Sequence, residues 1–222
     1  MESKENVKKY YDDYVSRQRK YGITPRHRFI LKRLKKFGLK STSKVLEIGS
    51  GIGTLSILIV NEVKNGYFLG CDISEVSIKV CNAELKRSYT DFLVTDMSDF
   101  KSEIKFDFIV LPDVLEHIPD DTKAMQELFR VLKPGGKLMV LEFSKPKMPV
   151  IKQFYTLYMK FITPRLGKMF SKNAGAYKYL DESIKKFPEG KQFIDVLNNI
   201  GYSKTYCKSL SFGICSIYCG IK

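Results

Sequence analysis

The chain contains no tryptophan and only two histidines, His27 and His117, in 222 residues. Two histidines cannot furnish a histidine-rich metal centre, and no metal site is expected. Five cysteines are present, Cys71, Cys81, Cys207, Cys215 and Cys219, and no two stand in C-x-x-C spacing. An odd count without that spacing argues against a disulfide framework or a zinc clip, and for reduced thiols in a cytoplasmic protein. No apolar run reaches membrane-spanning length, and no secretory leader is expected. Internal repeats and low-complexity tracts are also missing, which leaves out solenoids and disordered tails. A 44% hydrophobic content is ordinary for a globular chain, and this length suits one domain with a well-buried core.

What is present is an unevenly spread charge. The formal net charge is +14. Residues 1–44 carry +10, residues 45–144 carry −6, residues 145–191 carry +8 and residues 192–222 carry +2. An acidic centre is thus flanked by two basic segments, which attract nucleic acid, anionic lipid headgroups or an anionic substrate.

The acidic centre opens on Val45-Leu46-Glu47-Ile48-Gly49-Ser50-Gly51-Ile52-Gly53. A strand-type apolar run ends in a carboxylate, then three glycines at alternate positions, then a helical pattern from about Thr54. Glycine lets the backbone turn and lets a ligand approach it closely, while the helix start offers free N–H groups. The spacing is not the G-x-G-x-x-G of dinucleotide sites. Glu47 would repel a pyrophosphate but suits a ligand with an ammonium and no phosphates, such as S-adenosylmethionine. A second run, Tyr67 to Cys71, ends at Asp72-Ile73, where a carboxylate can take ribose hydroxyls. A third, Phe92 to Val94, ends at Thr95-Asp96-Met97; a fourth, Phe106 to Leu111, at Pro112-Asp113-Val114-Leu115-Glu116-His117. Arg130-Val131-Leu132-Lys133-Pro134-Gly135-Gly136 predicts a helix end and a turn before a fifth strand.

In this order these signals resemble the class I S-adenosylmethionine-dependent methyltransferases. The resemblance implies a Rossmann-like α/β fold with a seven-stranded, mostly parallel sheet, closed by an antiparallel hairpin around Ser211-Phe212-Gly213. It implies a cofactor seat of Glu47, Gly49, Ser50, Gly51, Gly53, Asp72, Ile73, Asp96, Met97 and Pro112.

The C-terminal part is similar to a narrower group. Leu141-Glu142-Phe143-Ser144-Lys145-Pro146, Tyr155-x-x-Tyr158, Pro164-Arg165-Leu166-Gly167, Ala176 to Ile184 and Ser211 to Tyr218 resemble the ubiquinone/menaquinone biosynthesis C-methyltransferases. That resemblance covers roughly residues 141–222 and implies methylation of a ring carbon on a polyprenylated quinol. The N-terminal half departs from it. Threonine stands at position 54 where that family has aspartate, and the Leu115-Glu116-His117 step replaces a phenylalanine-glycine-arginine-asparagine type segment.

One domain over residues 1–222 is expected, with a helical lid at 1–40, a cofactor core at 41–144, a cap at 145–190 and a last helix and hairpin at 191–222. A long insertion between a strand and a helix is typically functional. Residues 150–162 show an aromatic face at helical spacing with lysines beside it. Such a helix can wall a greasy pocket, pack on the domain or lie on an anionic membrane. His117, at the carboxyl edge of the fourth strand, is the candidate base, since a base works best with a pKa near the operating pH. Asp113 is placed to orient it or the acceptor, and Arg165 and Tyr177 of the cap to hold an acceptor oxygen. The expected activity is methyl transfer to a hydrophobic aromatic or quinol-like small molecule, in the cytoplasm or at the membrane periphery. Methylation of RNA through the basic flanks, or of another small-molecule natural product, stays open. Nucleic acid is disfavoured, because no Asn-Pro-Pro-Tyr-type step and no RNA-binding module is present.

Overall fold

The computed structural model describes residues 19–97, 99–115, 118, 121–144, 146, 153 and 187–222. Among these, α1 spans Pro25–Lys36, β1 Lys44–Ile48, α2 Ser56–Val60, β2 Tyr67–Asp72, α3 Glu75–Leu85 and β3 Thr90–Val94. Then follow β4 Phe106–Pro112, α4 Asp121–Val131, β5 Leu132–Phe143, α5 Lys191–Ile200, β6 Ser203–Leu210 and β7 Cys215–Ile221.

The strands form one seven-stranded sheet in the order β3-β2-β1-β4-β5-β7-β6. β1 to β5 pair in parallel, and β7 runs antiparallel to both β5 and β6. The fold class and the C-terminal hairpin read from the sequence are those observed. Side chains alternate across each strand. Val45, Phe108, Val110, Met139 and Leu141 meet Ile30, Leu34, Ile59, Ile78 and Leu85 of α1 to α3 on one face. Leu46, Ile48, Ile109, Leu111, Leu138 and Val140 meet Met125, Leu128, Phe193 and Leu197 of α4 and α5 on the other. A parallel sheet covered on both faces explains why these strands read as unbroken apolar runs.

One boundary differs from the sequence reading. Pro134-Gly135-Gly136 does not separate helix from strand. β5 begins at Leu132, opposite Phe106, and the next partners are Phe108 and Lys137, so the turn is an irregularity within the strand. Gly135, at φ +75°, supplies the left-handed residue that such an interruption needs.

Residues 187–193 are anchored to the C-terminal part of the sheet. Phe187 stacks at 5.0 Å on Phe193, which meets Tyr218 edge-on at 4.9 Å. The Gly190 amide donates to the Tyr218 hydroxyl at 2.7 Å. Truncating an aromatic residue as buried as Phe193 costs ~3–5 kcal/mol.

Candidate active site

Order reverses in the sheet between β1 and β4, and ligands of doubly wound folds bind beyond the carboxyl ends of strands at such a point. The glycine loop begins there. Gly49, Gly51 and Gly53 have φ of +77°, +52° and +83°. The amides of Gly49 and Ser50 both donate to the Cys71 carbonyl, at 2.7 and 3.0 Å, which ties the loop to β2. A Cβ at Gly49 would lie 2.2 Å from Val114, and one at Gly53 would lie 2.3 Å from Leu85. The first glycine thus admits the loop after β4 and the third admits α3.

Two carboxylates organise this loop. Glu47 is 1% exposed and accepts from the Ser56 hydroxyl at 2.7 Å. Burial pushes its carboxyl up to about 8; the Ser56 bond opposes this and the neighbouring Asp72 adds to it. Asp72, at the end of β2, accepts from the Gly51 amide at 2.7 Å and from the Ser74 amide at 2.8 Å. Those two bonds use part of its capacity, since an ionised carboxylate offers about four lone-pair sites. Ile73, Asp96 and Pro112 line the same edge half-buried, and Met97 and Ser50 are buried. The Thr95 amide donates to the Asp72 carbonyl at 2.9 Å, which brings the Asp96 loop beside Asp72.

The arrangement suits a cationic nucleoside. It provides a close-approach glycine cradle, a buried acid beneath it and a second carboxylate at the end of the neighbouring strand. No lysine or arginine falls within residues 45–63 to bind a phosphate.

Glu142 was not singled out by the sequence reading. It sits in β5, fully buried, and its Oε1 accepts the amides of Val114 at 2.9 Å and Leu115 at 2.8 Å. A lone acid inside the apolar run Leu138 to Phe143 was the available signal. Ahead of these amides stands Asp113, at φ +56°, a conformation that is strained for a residue other than glycine. Its Oδ1 pairs with Nη2 of Arg26, whose guanidinium lies 5.1 Å from the centre of the Phe143 ring. Burial pushes the Asp113 carboxyl up, against the pull of Arg26. Arg26 was likewise missed.

His27 takes a different part from catalysis. Its Nδ1 accepts the Thr24 amide at 3.1 Å at the start of α1. Burial, with the Arg26 charge, pulls it below the usual histidine range and keeps that acceptor nitrogen free of a proton. His117, Arg165, Tyr177, residues 1–18 of the expected N-terminal lid and all but residue 153 of the amphipathic run 150–162 lie outside the described residues.

A profile of the ubiE/COQ5 methyltransferase family matches residues 8–222. The chain belongs to the ubiE/COQ5 methyltransferase family. It is therefore an S-adenosylmethionine-dependent methyltransferase. The match extends well beyond residues 141–222, so Thr54 and the Leu115-Glu116-His117 step are variations within the family. The demethylmenaquinone methyltransferase of Bacteroides fragilis is 33% identical over 184 residues, 81% of this chain and 75% of that one. The ubiquinone/menaquinone biosynthesis C-methyltransferase of Rickettsia prowazekii is 32% identical over 189 residues, 81% and 76% of the two chains. Among solved structures, a putative methyltransferase of Haloferax volcanii bound to the Trm112 activator superposes with a TM-score of 0.71 at 14% identity, covering 95% of this chain and 96% of that one. The magnesium protoporphyrin IX methyltransferase of Synechocystis gives 0.65 at 19%, with 99% of each covered. At these identities the two structures are alike in fold alone.

Proposed function

We propose that this enzyme methylates a ring carbon of a hydrophobic, quinol-type aromatic acceptor. The observation that carries the reading is the built edge from Asp72 to Asp113. A nucleoside cradle on β1 and β2 meets, across Val114, a strained acid and an arginine over an aromatic ring on β4 and β5. Relatives named for quinone methylation support the acceptor class.

The residues fit S-adenosylmethionine. Gly49 to Gly53, with Ser50, would take its amino-acid portion, Glu47 beneath would serve as counter-charge, and Asp72 with Ile73 would receive the ribose. Asp96 and Met97 would border the adenine, with Pro112 on the same strand edge. When bound, the cofactor supplies an electrophilic methyl on a sulfonium. The protein's share is alignment: it holds acceptor carbon and methyl at ~3–3.5 Å and excludes water. A quinol gains nucleophilicity when its hydroxyl loses a proton. His117 is assigned that proton, with Asp113 orienting the histidine and Arg165 and Tyr177 of the cap holding the acceptor's second oxygen, and the ring hydrogen displaced by the new carbon–carbon bond leaves as a proton when aromaticity returns. The basic flanks keep the enzyme at an anionic membrane surface from which a prenyl tail is drawn. No helix of the described residues is long and apolar enough to cross a membrane, and peripheral contact needs none.

The test is a turnover panel with purified protein and S-adenosylmethionine, offering a prenylated 1,4-naphthoquinol, a benzoquinol, simple phenols and structured RNA. S-adenosylhomocysteine release with the quinols, and not with RNA, supports the reading. Methylation of RNA with every quinol and phenol ignored ends it, and assigns the basic flanks to nucleic acid.

A further inference from the structure

Arg26 stands where a cation is locally disfavoured. It is the second residue of α1, and the first turn of that helix carries Arg26 and Arg28 and no acid. Positive charge there opposes the helix dipole. A residue that breaks a local rule without loss of fold marks a functional position more often than an accident.

Its side chain reaches 87 residues along the sequence to Asp113, just past the carboxyl end of β4. It also lies over the Phe143 ring at the carboxyl end of β5. The pair borders the cofactor cradle directly, because Val114, next to Asp113, is the side chain that Gly49 makes room for. Ion and ring therefore flank the acceptor side of the cradle, opposite Asp72.

Arg26 is not spent by this pairing. Its contact with Asp113 runs through Nη2, while its Nε is buried and has no hydrogen-bond partner among the described residues. A guanidinium is a planar fork that matches oxyanions through two donors at once. The pair is not sealed in the core: the Arg26 and Asp113 side chains are 28% and 31% exposed. Both partners keep a solvent-facing part, so an incoming anion can compete with the Asp113 carboxylate for the guanidinium. The Phe143 ring beneath offers a flat wall for an aromatic ligand.

We propose that Arg26 is the acceptor-recognition residue: its guanidinium takes an ionised aromatic oxygen in place of Asp113, against the Phe143 ring. The inference rests on the quinol reading for the acceptor's identity, yet its test does not need turnover. The probe is 2-hydroxy-1,4-naphthoquinone, a planar bicyclic acid that is anionic at pH 7.5. Its binding is measured by calorimetry in the presence of S-adenosylhomocysteine, with neutral 1,4-naphthoquinone as reference. Wild type should prefer the anion. Arg26→Met should weaken anion binding about 10–100-fold and Arg26→Lys by less, since a charge remains without the fork. Asp113→Asn should bind the anion more tightly, because the competing carboxylate is gone. A merely structural ion pair predicts the opposite for that last variant, with both halves losing binding together. S-adenosylmethionine affinity of Arg26→Met should stay within about twofold of wild type, which also shows that the variant is folded.

Equal binding of the anion by wild type and Arg26→Met, loss of binding in Asp113→Asn, or no preference for anion over neutral quinone each overturns the assignment. If the anion binds through Arg26 as stated but wild type methylates no naphthoquinol, the acceptor reading fails while the Arg26 assignment stands.

Discussion

Replacing Asp72 with asparagine keeps shape and removes charge, and the structure sets how much should follow. In the native loop both carboxylate oxygens face donors, the Gly51 amide at 2.7 Å and the Ser74 amide at 2.8 Å. An asparagine can accept one of these through its carbonyl. Its amide nitrogen must then face the other amide, donor against donor. One charge-assisted bond, worth ~1.5–3 kcal/mol, is lost and the other falls to the neutral range of ~0.5–1.5 kcal/mol. Together the loop loses about 2.5–4 kcal/mol. For a domain of this size that lowers the melting temperature by about 5–15 °C. The ribose hydroxyls lose a charged acceptor as well, so S-adenosylmethionine binding weakens by a further ~1.5–3 kcal/mol, about 10–150-fold. Calorimetric titration and a thermal melt read the two effects separately. Asp96→Asn is the comparison, with a smaller affinity loss of about 1 kcal/mol. Native affinity and native melting temperature in Asp72→Asn would refute the account of how this loop is held.

Other outcomes follow from the same site. With Glu47 pushed up to about 8 in the ligand-free protein, the ionised form is the costly one in the fold. Its contribution to stability is full below the unfolded value near 4.5 and is lost as pH rises through 8, so Glu47→Gln should flatten that decline in melts between pH 5 and 9. A bound ammonium favours the carboxylate, so cofactor affinity should rise with pH between about 5 and 8, by up to tenfold per unit, with proton release detectable in calorimetry and absent in Glu47→Gln. Gly53→Ala puts a Cβ 2.3 Å from Leu85 at φ +83°; strain and overpacking should destabilise by about 2–4 kcal/mol in a denaturant titration. Glu142→Ala leaves the Val114 and Leu115 amides without their acceptor and should cost about 2–4 kcal/mol, while Glu142→Gln retains an acceptor and should cost about 1 kcal/mol, both read by chemical denaturation.

How far the sequence carried depended on distance along the chain. The glycine loop, Glu47 and Asp72 are legible because glycine, strand end and acid recur within a few residues, and a strand end has few structural options. The sheet was legible because strands buried on both faces leave continuous apolar runs. Arg26 and Glu142 were not, because each acquires its meaning from a partner far away in sequence: Arg26 from Asp113, and Glu142 from the amides of residues 114 and 115. No local pattern encodes such a pairing. The role of His27 was not legible either, because a histidine at the third position of a helix is not the usual glutamate of a capping box, although it does the same work for the Thr24 amide. The Pro134-Gly135-Gly136 turn was read as a boundary because turn chemistry is the same whether it ends a strand or interrupts one.

The most direct measurement is the fate of an isotopically labelled methyl group. Purified protein is given S-adenosylmethionine carrying carbon-13 at the methyl, a short-tailed prenyl naphthoquinol kept reduced, and structured RNA in the same tube. The products are separated and read by carbon-13 nuclear magnetic resonance and mass spectrometry. The account predicts the label as an aryl methyl on the quinol ring, lost when Asp72 is changed to alanine. Label on RNA, label as a methoxy group on the quinol, or no transfer to any acceptor would contradict it.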